Sequence, residues 1–466
     1  MAPTSAVDFV ERELTASSDP ITSGPIWLAI WDMSWPMLLN MWALSAASFA
    51  EVWVAGKLGS TALAGVGLAG QLWYFFMMLT LALAAGTTAI VSRYWGARDH
   101  KTAVEAARQS LICATVFSVT ATVIALIVCR PLLRLFGAAP AVELEGWKYM
   151  SLGILAMVPY TLLWITNSIF RSTGDARTPM VTTSTAALLV VLFDYVACIH
   201  PFHLGCTGLG LSWLLASSIC FTGNVWVLNR SELRDCMNVS KAFREGISRE
   251  WMARLMRIGI PSCIQDLALI TSNFMLFLIL AHTANPTLGQ ATWAVGCRIE
   301  DVGTIMPMYA LNLAIATIVG QNLGARRADR AEQAGWYMVW VGGALTAVFG
   351  IIMFFFAHPI AHLMTNDPAV VSQTVHYLQI TAASQPFIAA WLVISGALQG
   401  AGYTRMPMVW TVLCFNFIRP AIAYVLVAGP HGSLSGTWLA MAISAGLLGI
   451  MMLLQFRKGT WKQQEV

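Results

Sequence analysis

From residue 28 to residue 456 the chain alternates long apolar runs with short polar connections. Twelve runs stand out, near 28–53, 62–86, 108–129, 149–170, 179–199, 207–229, 255–281, 288–318, 335–357, 375–399, 407–428 and 434–456. As a helix of ~20 residues, each is long enough to cross a bilayer core of ~30 Å. The pattern predicts an all-α membrane protein with twelve transmembrane helices.

Charge placement tests that count, because Lys and Arg concentrate in cytoplasmic loops. With the N-terminus inside, 21 of the 27 Lys and Arg residues fall in the tails and inner loops. Four fall in outer loops, and two, Arg298 and Arg419, fall inside spans. An odd number of spans would destroy this asymmetry. Both ends are therefore expected in the cytoplasm, with the protein in a bacterial inner membrane. The segment from Met1 to Pro25 lacks the basic stretch and short apolar core of a cleaved signal, and reads as a cytoplasmic tail.

Composition agrees: 57% of residues are hydrophobic and 11% charged, against roughly 25% charged in soluble domains. The net charge of +4 is too small to point to nucleic acid. Nine scattered cysteines contain no CxxC pair and no Cys/His cluster, so neither a disulfide framework nor a zinc site is indicated.

The longest charged stretch, 230–257, lies near the middle, and the segments on either side are related. "GARDHKTAVEAA" (96–107) pairs with "GARRADRAEQAG" (324–335), and "GDARTPM" (174–180) with "GYTRMPM" (402–408). Arg130-Pro131 pairs with His358-Pro359, "PAV" at 140–142 with 368–370, and Tyr149 with Tyr377, always at the same offset in residue number. That offset covers six helices, an even number, so the repeats are parallel and related by an axis normal to the membrane. Two pseudo-twofold-related six-helix bundles follow. The expected division is a tail over 1–27, an N-terminal bundle over 28–229, a linker loop over 230–254, a C-terminal bundle over 255–456 and a tail over 457–466.

Five stretches in order, "EVWVAGKLGSTALAGVGLA", "VSRYWGARDHKTA", "FRSTGDARTPM", "GCRIEDVGTIMP" and "VGQNLGARRADRA", resemble the multidrug and toxic compound extrusion (MATE) transporters. The resemblance runs from about Trp31 to Arg457. It implies cation-coupled export of small organic compounds, often cationic or amphipathic, by alternating access, without a cofactor beyond the coupling proton or sodium ion. Acids on spans 1 and 5 and an RIE stretch on span 8 resemble the DNA-damage-inducible branch. That branch's span-1 aspartate falls on Glu51 and its span-5 aspartate on Asp194, while its asparagine one turn earlier is replaced by Val190. Ser212 joins them as a cation-coupling candidate. Another branch carries a glutamate on span 7; the matching position is about Leu269, with Asp266 one turn earlier.

An acid within a span is costly, so it is read as functional by default. Glu51 precedes Lys57 by six residues and Asp194 precedes His200 by six, which puts both acids at similar depth near the outer face. They can share a site. The plainer alternatives are an interfacial helix end for each, with Lys57 pairing Glu51. Two close carboxyls at low dielectric resist ionising together, which favours holding a proton. Sodium needs several oxygen ligands, and Val190 supplies none, so protons are favoured; under sodium, Glu51 and Asp194 would be its ligands. Asp266 is the C-terminal coupling candidate. Arg298 and Glu300 are two apart on one helix and do not face each other, leaving a cavity role or ion pairs with other helices open. Pro36 and Pro261 fall early in the first span of each half, where proline permits a bend.

"GVGLAG" (65–70) sits within an apolar span with no preceding strand, so small-residue helix packing explains it. No P-loop, HExxH motif or Ser/His/Asp grouping occurs, which argues against an enzyme. A lipid-linked precursor flippase is the nearest rival, but it calls for a strongly basic cavity. The expected partners are a small organic substrate and membrane lipids, with no nucleic acid, and the protein is expected to be a monomer.

Overall fold

The computed structural model describes residues 21–135, 139–199, 202–237, 246, 248–283, 285–428 and 433–464. Most of the N-terminal tail, His200 and the linker residues 238–245 and 247 lie outside the described residues. Among the described residues, eleven helices and one bent pair are long and apolar enough to cross a membrane, which matches the twelve expected spans. In chain order they are α1 Ile26–Leu58, α2 Ser60–Gly96, α3 His100–Leu135, α4 Pro140–Ser172, α5 Arg177–Ile199 and α6 Cys206–Leu228. The second half contains α7 Arg249–Ala281, α8 Pro286–Gly324 and α9 Ala328–Phe355, then a short α10 Ala357–Met364. It continues with α11 Pro368–Ala382, α12 Gln385–Gly400, α13 Arg405–Val427 and α14 Leu434–Arg457.

Several helices outrun the apolar runs that predicted them. The turn joining α1 to α2 is a single residue, Gly59, whose φ of 121° suits glycine. Helix α7 begins at Arg249, inside the segment expected to be linker, and residues Arg234–Met237 form a 3-10 turn. Past α14 the chain turns back, and the buried Trp461 stacks on Phe456 with ring centroids 4.8 Å apart. The tenth span is not the single helix expected over 375–399. It is the pair α11 and α12, bent by 58°. Pro386 explains the break: it has no N–H to give the Ala382 carbonyl, and its ring would collide with that group. Three wide π turns, which periodicity does not reveal, interrupt other spans at Tyr195–Ile199, Asp301–Ile305 and Leu413–Ile418.

The halves meet where α2 packs on α7, α1 on α8, and α2 on α8. Glycines allow backbone-to-backbone approach there. A β-carbon on Gly259 would lie 2.3 Å from the Ala82 carbonyl oxygen, and one on Gly86 2.6 Å from that of Leu255. The repeat appears in the contacts themselves. A β-carbon on Gly96 would meet the Gln321 carbonyl oxygen at 2.0 Å, and one on Gly324 would meet that of Arg93 at 2.0 Å. Arg93 and Gln321 are separated by the repeat offset, as are Gly96 and Gly324, so the contact is its own mirror across the pseudo-twofold axis. Two residues after each glycine, Arg98 and Arg326 share a left-handed backbone, with φ of 59° and 58°. At the same end Arg327 donates to the Thr22 carbonyl oxygen at 2.6 Å, and Arg330 to those of Ile21 and Gly24. The two halves are thus held together at the end carrying residues 96–99 and 324–327.

Candidate functional site

At the opposite end of α1, Glu51 turns inward and is 9% exposed. Its Oε1 accepts a hydrogen bond from the Trp213 indole at 3.0 Å, and the buried Tyr149 hydroxyl lies alongside. Asp194, 0% exposed, is in electrostatic contact with Glu51, so the two acids share one pocket within the N-terminal half. Lys57 stands over the Trp53 ring at 5.5 Å, and among the described residues no ion pair joins it to Glu51.

Asp194 is the last regular residue of α5 before the π turn Tyr195–Ile199. Helix α6 can come close because Gly208 lies against that turn: a β-carbon there would sit 2.7 Å from Cys198 Sγ. This approach brings the fully buried Ser212 hydroxyl beside Asp194. Yet that hydroxyl donates to the Gly208 carbonyl oxygen at 2.9 Å, and both Asp194 oxygens are left without a hydrogen-bond donor. A bare buried carboxylate without donors is strongly disfavoured. A neutral Asp194 avoids the cost of burying that charge. Val190 is completely buried and adds no oxygen to the pocket.

Asp266 occupies different ground. It lines a cavity between the halves together with Gln265, Tyr309 and Trp391 of the C-terminal half and Trp164 and Arg171 of the N-terminal half. Its Oδ1 accepts from the Tyr309 hydroxyl at 2.8 Å. Leu269 lines the same cavity. Arg171, assigned from sequence to an inner loop, belongs instead to the last turn of α4 and is 2% exposed.

The expected pairings of Arg298 and Glu300 take another form. Arg298 is exposed on the outside of α8, whereas Glu300 is buried on the inner face. Glu300 accepts from Tyr377 at 3.0 Å and from Gln385 at 2.9 Å. The buried cation nearby is Arg419, whose guanidinium lies 3.8 Å from the Phe415 ring centroid. Pro36 and Pro261 are buried inside helices that continue through them. Among the described residues, no three His, Cys, Asp or Glu side chains converge as a metal site.

Motif reading missed Trp213, Tyr309 and Gln385. Tyr149 and Tyr377 were visible as a repeat pair, but nothing local marked them as partners of acids.

The match to known proteins covers both halves. The family model described as MatE matches residues 36–196 and 261–425. The chain is 24% identical over 425 residues to the probable multidrug resistance protein NorM of Thermotoga maritima, covering 88% of each chain. It is 25% identical over 440 residues to the FAD transporter of Shewanella oneidensis, covering 92% of this chain and 94% of that one. A solved structure described as the outward-facing conformation of a multidrug resistance MATE family transporter shares the fold. Its TM-score is 0.89 at 22% identity, over 96% of this chain and 98% of that one. With its two matched halves, its twelve spans and its multidrug-resistance relatives, the chain belongs to the MatE family and is an integral membrane transporter that exports compounds.

Proposed function

We propose that this transporter is a proton antiporter of the DNA-damage-inducible branch, which exchanges inbound protons for small cationic or amphipathic compounds. It works as a monomer in a bacterial inner membrane with both termini in the cytoplasm. In that orientation the closely packed end carrying Gly96 and Gly324 is cytoplasmic. The coupling site is Glu51, Asp194 and Ser212.

The observation that carries this reading is Asp194, fully buried, without any donor to either oxygen, beside a second carboxyl. A proton on Asp194 neutralises it in the pocket it shares with Glu51. Its loss inside leaves a charge that the pocket cannot solvate, and the helices must rearrange. Helix α1 is the element best placed to move, since Pro36, fifteen residues before Glu51, leaves the Asp32 carbonyl oxygen without its helical donor. Sodium finds few oxygens near Asp194, because Val190 replaces the branch's asparagine.

The test is ethidium export from proteoliposomes under a pH gradient or a sodium gradient imposed separately. Export driven by the pH gradient alone supports the proposal; export driven by sodium alone refutes it.

One observation favours a second reading of the cargo. The Arg171 side chain lines the inter-half cavity, which suits a substrate bearing an acidic group. The relative named as an FAD transporter is consistent with such cargo. Competition between ethidium and an organic anion for export separates the two readings.

A further inference from the structure

The short helix α10, Ala357–Met364, joins α9 to α11 at the end of the bundle opposite the Gly96–Gly324 contact. It buries Ala357 and Ala361 and leaves His358 and His362 exposed. The two histidines are four residues apart, so they stand one above the other on a single helix face. Their ring centroids lie 6.2 Å apart, with the ring planes tilted by 41°. The polar run Thr365-Asn366-Asp367 follows at once, which places the pair beside an end loop rather than deep in a span.

The repeat shows what these two positions do in the other half. His358 and His362 are equivalent to Arg130 and Arg134, at the same offset that pairs Tyr377 with Tyr149. Arg130 and Arg134 converge on one ligand: their Nε atoms donate to Glu143 Oε1 at 3.1 Å and 2.9 Å. Glu143 stands in the first turn of α4, and its equivalent in the first turn of α11 is Val371. The two positions thus bring side chains from successive turns to a shared point. In the C-terminal half both the cations and the acid between them are exchanged. Two imidazoles replace two guanidiniums, and valine replaces the carboxylate. Lone-pair donors now stand where the other half has donors of hydrogen bonds.

We propose that His358 and His362 form a binding site for a divalent transition-metal ion of the zinc type. Imidazole nitrogen suits Zn²⁺, Ni²⁺ and Cu²⁺, whereas Mg²⁺ and Ca²⁺ prefer oxygen. Two histidines at this spacing on one helix face are a recurring zinc-binding pair. The distance also fits. With Zn–N of about 2.0–2.1 Å and about 1.1 Å from ring centre to nitrogen, two rings on one ion have centroids at most about 6.4 Å apart. A tetrahedral angle brings the centroids to about 5 Å, which a modest side-chain rotation supplies. Each neutral ring gives one nitrogen lone pair, the ion gives up two waters, and no bond of the protein breaks. Water keeps the remaining coordination positions. An eight-residue helix is marginal by itself, so an ion that staples one turn of α10 firms the elbow between α9 and α11. This site is independent of the coupling assigned to Glu51 and Asp194.

Zinc titration by calorimetry on the purified full-length transporter, carrying no polyhistidine tag, tests the proposal. Wild type is expected to take up one equivalent of Zn²⁺ at roughly micromolar concentration. Its unfolding temperature in detergent should rise with zinc, because an ion held only by the folded state stabilises it. His358→Asn and His362→Asn are each expected to lose both the equivalent and the rise, with unfolding in the absence of metal as the folding control. Cu²⁺ bound to wild type should show hyperfine coupling to two imidazole nitrogens in electron paramagnetic resonance, a readout that needs no variant. Undiminished zinc uptake by the His358→Asn/His362→Asn double variant would overturn the proposal. So would the absence of saturable uptake by wild type, or a copper signal without two imidazole nitrogens.

Discussion

Gly96 lies so close to Gln321 that a β-carbon on the glycine would sit 2.0 Å from the Gln321 carbonyl oxygen, and Gly324 stands in the same relation to Arg93. Two copies of one contact close the cleft at the end that the charge distribution places in the cytoplasm. Any side chain at either glycine must push the halves apart, because the opposing atom is backbone and cannot swing away. Gly324→Leu is predicted to cost the sealed state about 1–3 kcal/mol, as overpacking generally does. A cysteine introduced at Gln399, which lines the cavity, should then label faster from the cytoplasmic side. Labelling at the wild-type rate would show that the contact is not the seal.

The turn beside that seal is pinned by Asp99, whose Oδ1 accepts from the Thr102 backbone N–H at 3.1 Å at the start of α3. Hydrogen bonds from Thr102, the hydroxyl first and the backbone second, hold this carboxyl below its ordinary range. A depressed folded value means that the contribution is complete above the unfolded value of about 3.9 and is lost as pH falls through the folded one. Asp99→Ala is predicted to lower stability by about 1 kcal/mol at neutral pH, the usual worth of an N-cap. The gap between variant and wild type should close in strongly acidic buffer, as thermal unfolding in detergent can measure.

Val190 sits one turn before Asp194 and is fully buried. Val190→Asn returns an amide oxygen to the pocket on the same helix face. Export by this variant is predicted to become stimulated by sodium, whereas that of wild type is not. Equal sodium responses would remove the argument that a shortage of oxygens selects protons.

Asp266 accepts from Tyr309 at 2.8 Å in the cavity between the halves. Replacing it with asparagine keeps size and hydrogen bonding but deletes the charge. Asp266→Asn is predicted to weaken binding of tetraphenylphosphonium by about tenfold, equivalent to about 1.4 kcal/mol, and to leave a neutral competitor almost unaffected. Calorimetry on the purified protein separates the two ligands. Equal losses for both would assign Asp266 a packing role.

The span count, the repeat and the pairing of Glu51 with Asp194 could all be read from the chain, because bilayer thickness and loop charge leave strong marks in composition. The break before Gln385 was equally present in "ASQPF", but it was absorbed into an apolar run long enough to span without it. What remained hidden was geometry between helices. Nothing within α6 announces that Trp213 reaches Glu51, because the two residues are 162 apart and meet only through packing. Arg298 and Arg419 looked alike as cations in spans. One faces outward and the other is buried beside Glu300, a difference set by helix rotation. Arg171 was misplaced because α4 continues past its apolar run and carries the arginine into the cavity.

The central claim, that Glu51 and Asp194 couple proton entry to export, is tested most directly in proteoliposomes. Wild type, Glu51→Gln and Asp194→Asn would be compared for uphill ethidium transport under an imposed pH gradient, with ethidium exchange at equilibrium measured alongside. Both variants are predicted to lose uphill transport and to retain exchange, since substrate still binds but no proton is carried. Uphill transport at the wild-type level in either variant would contradict the account.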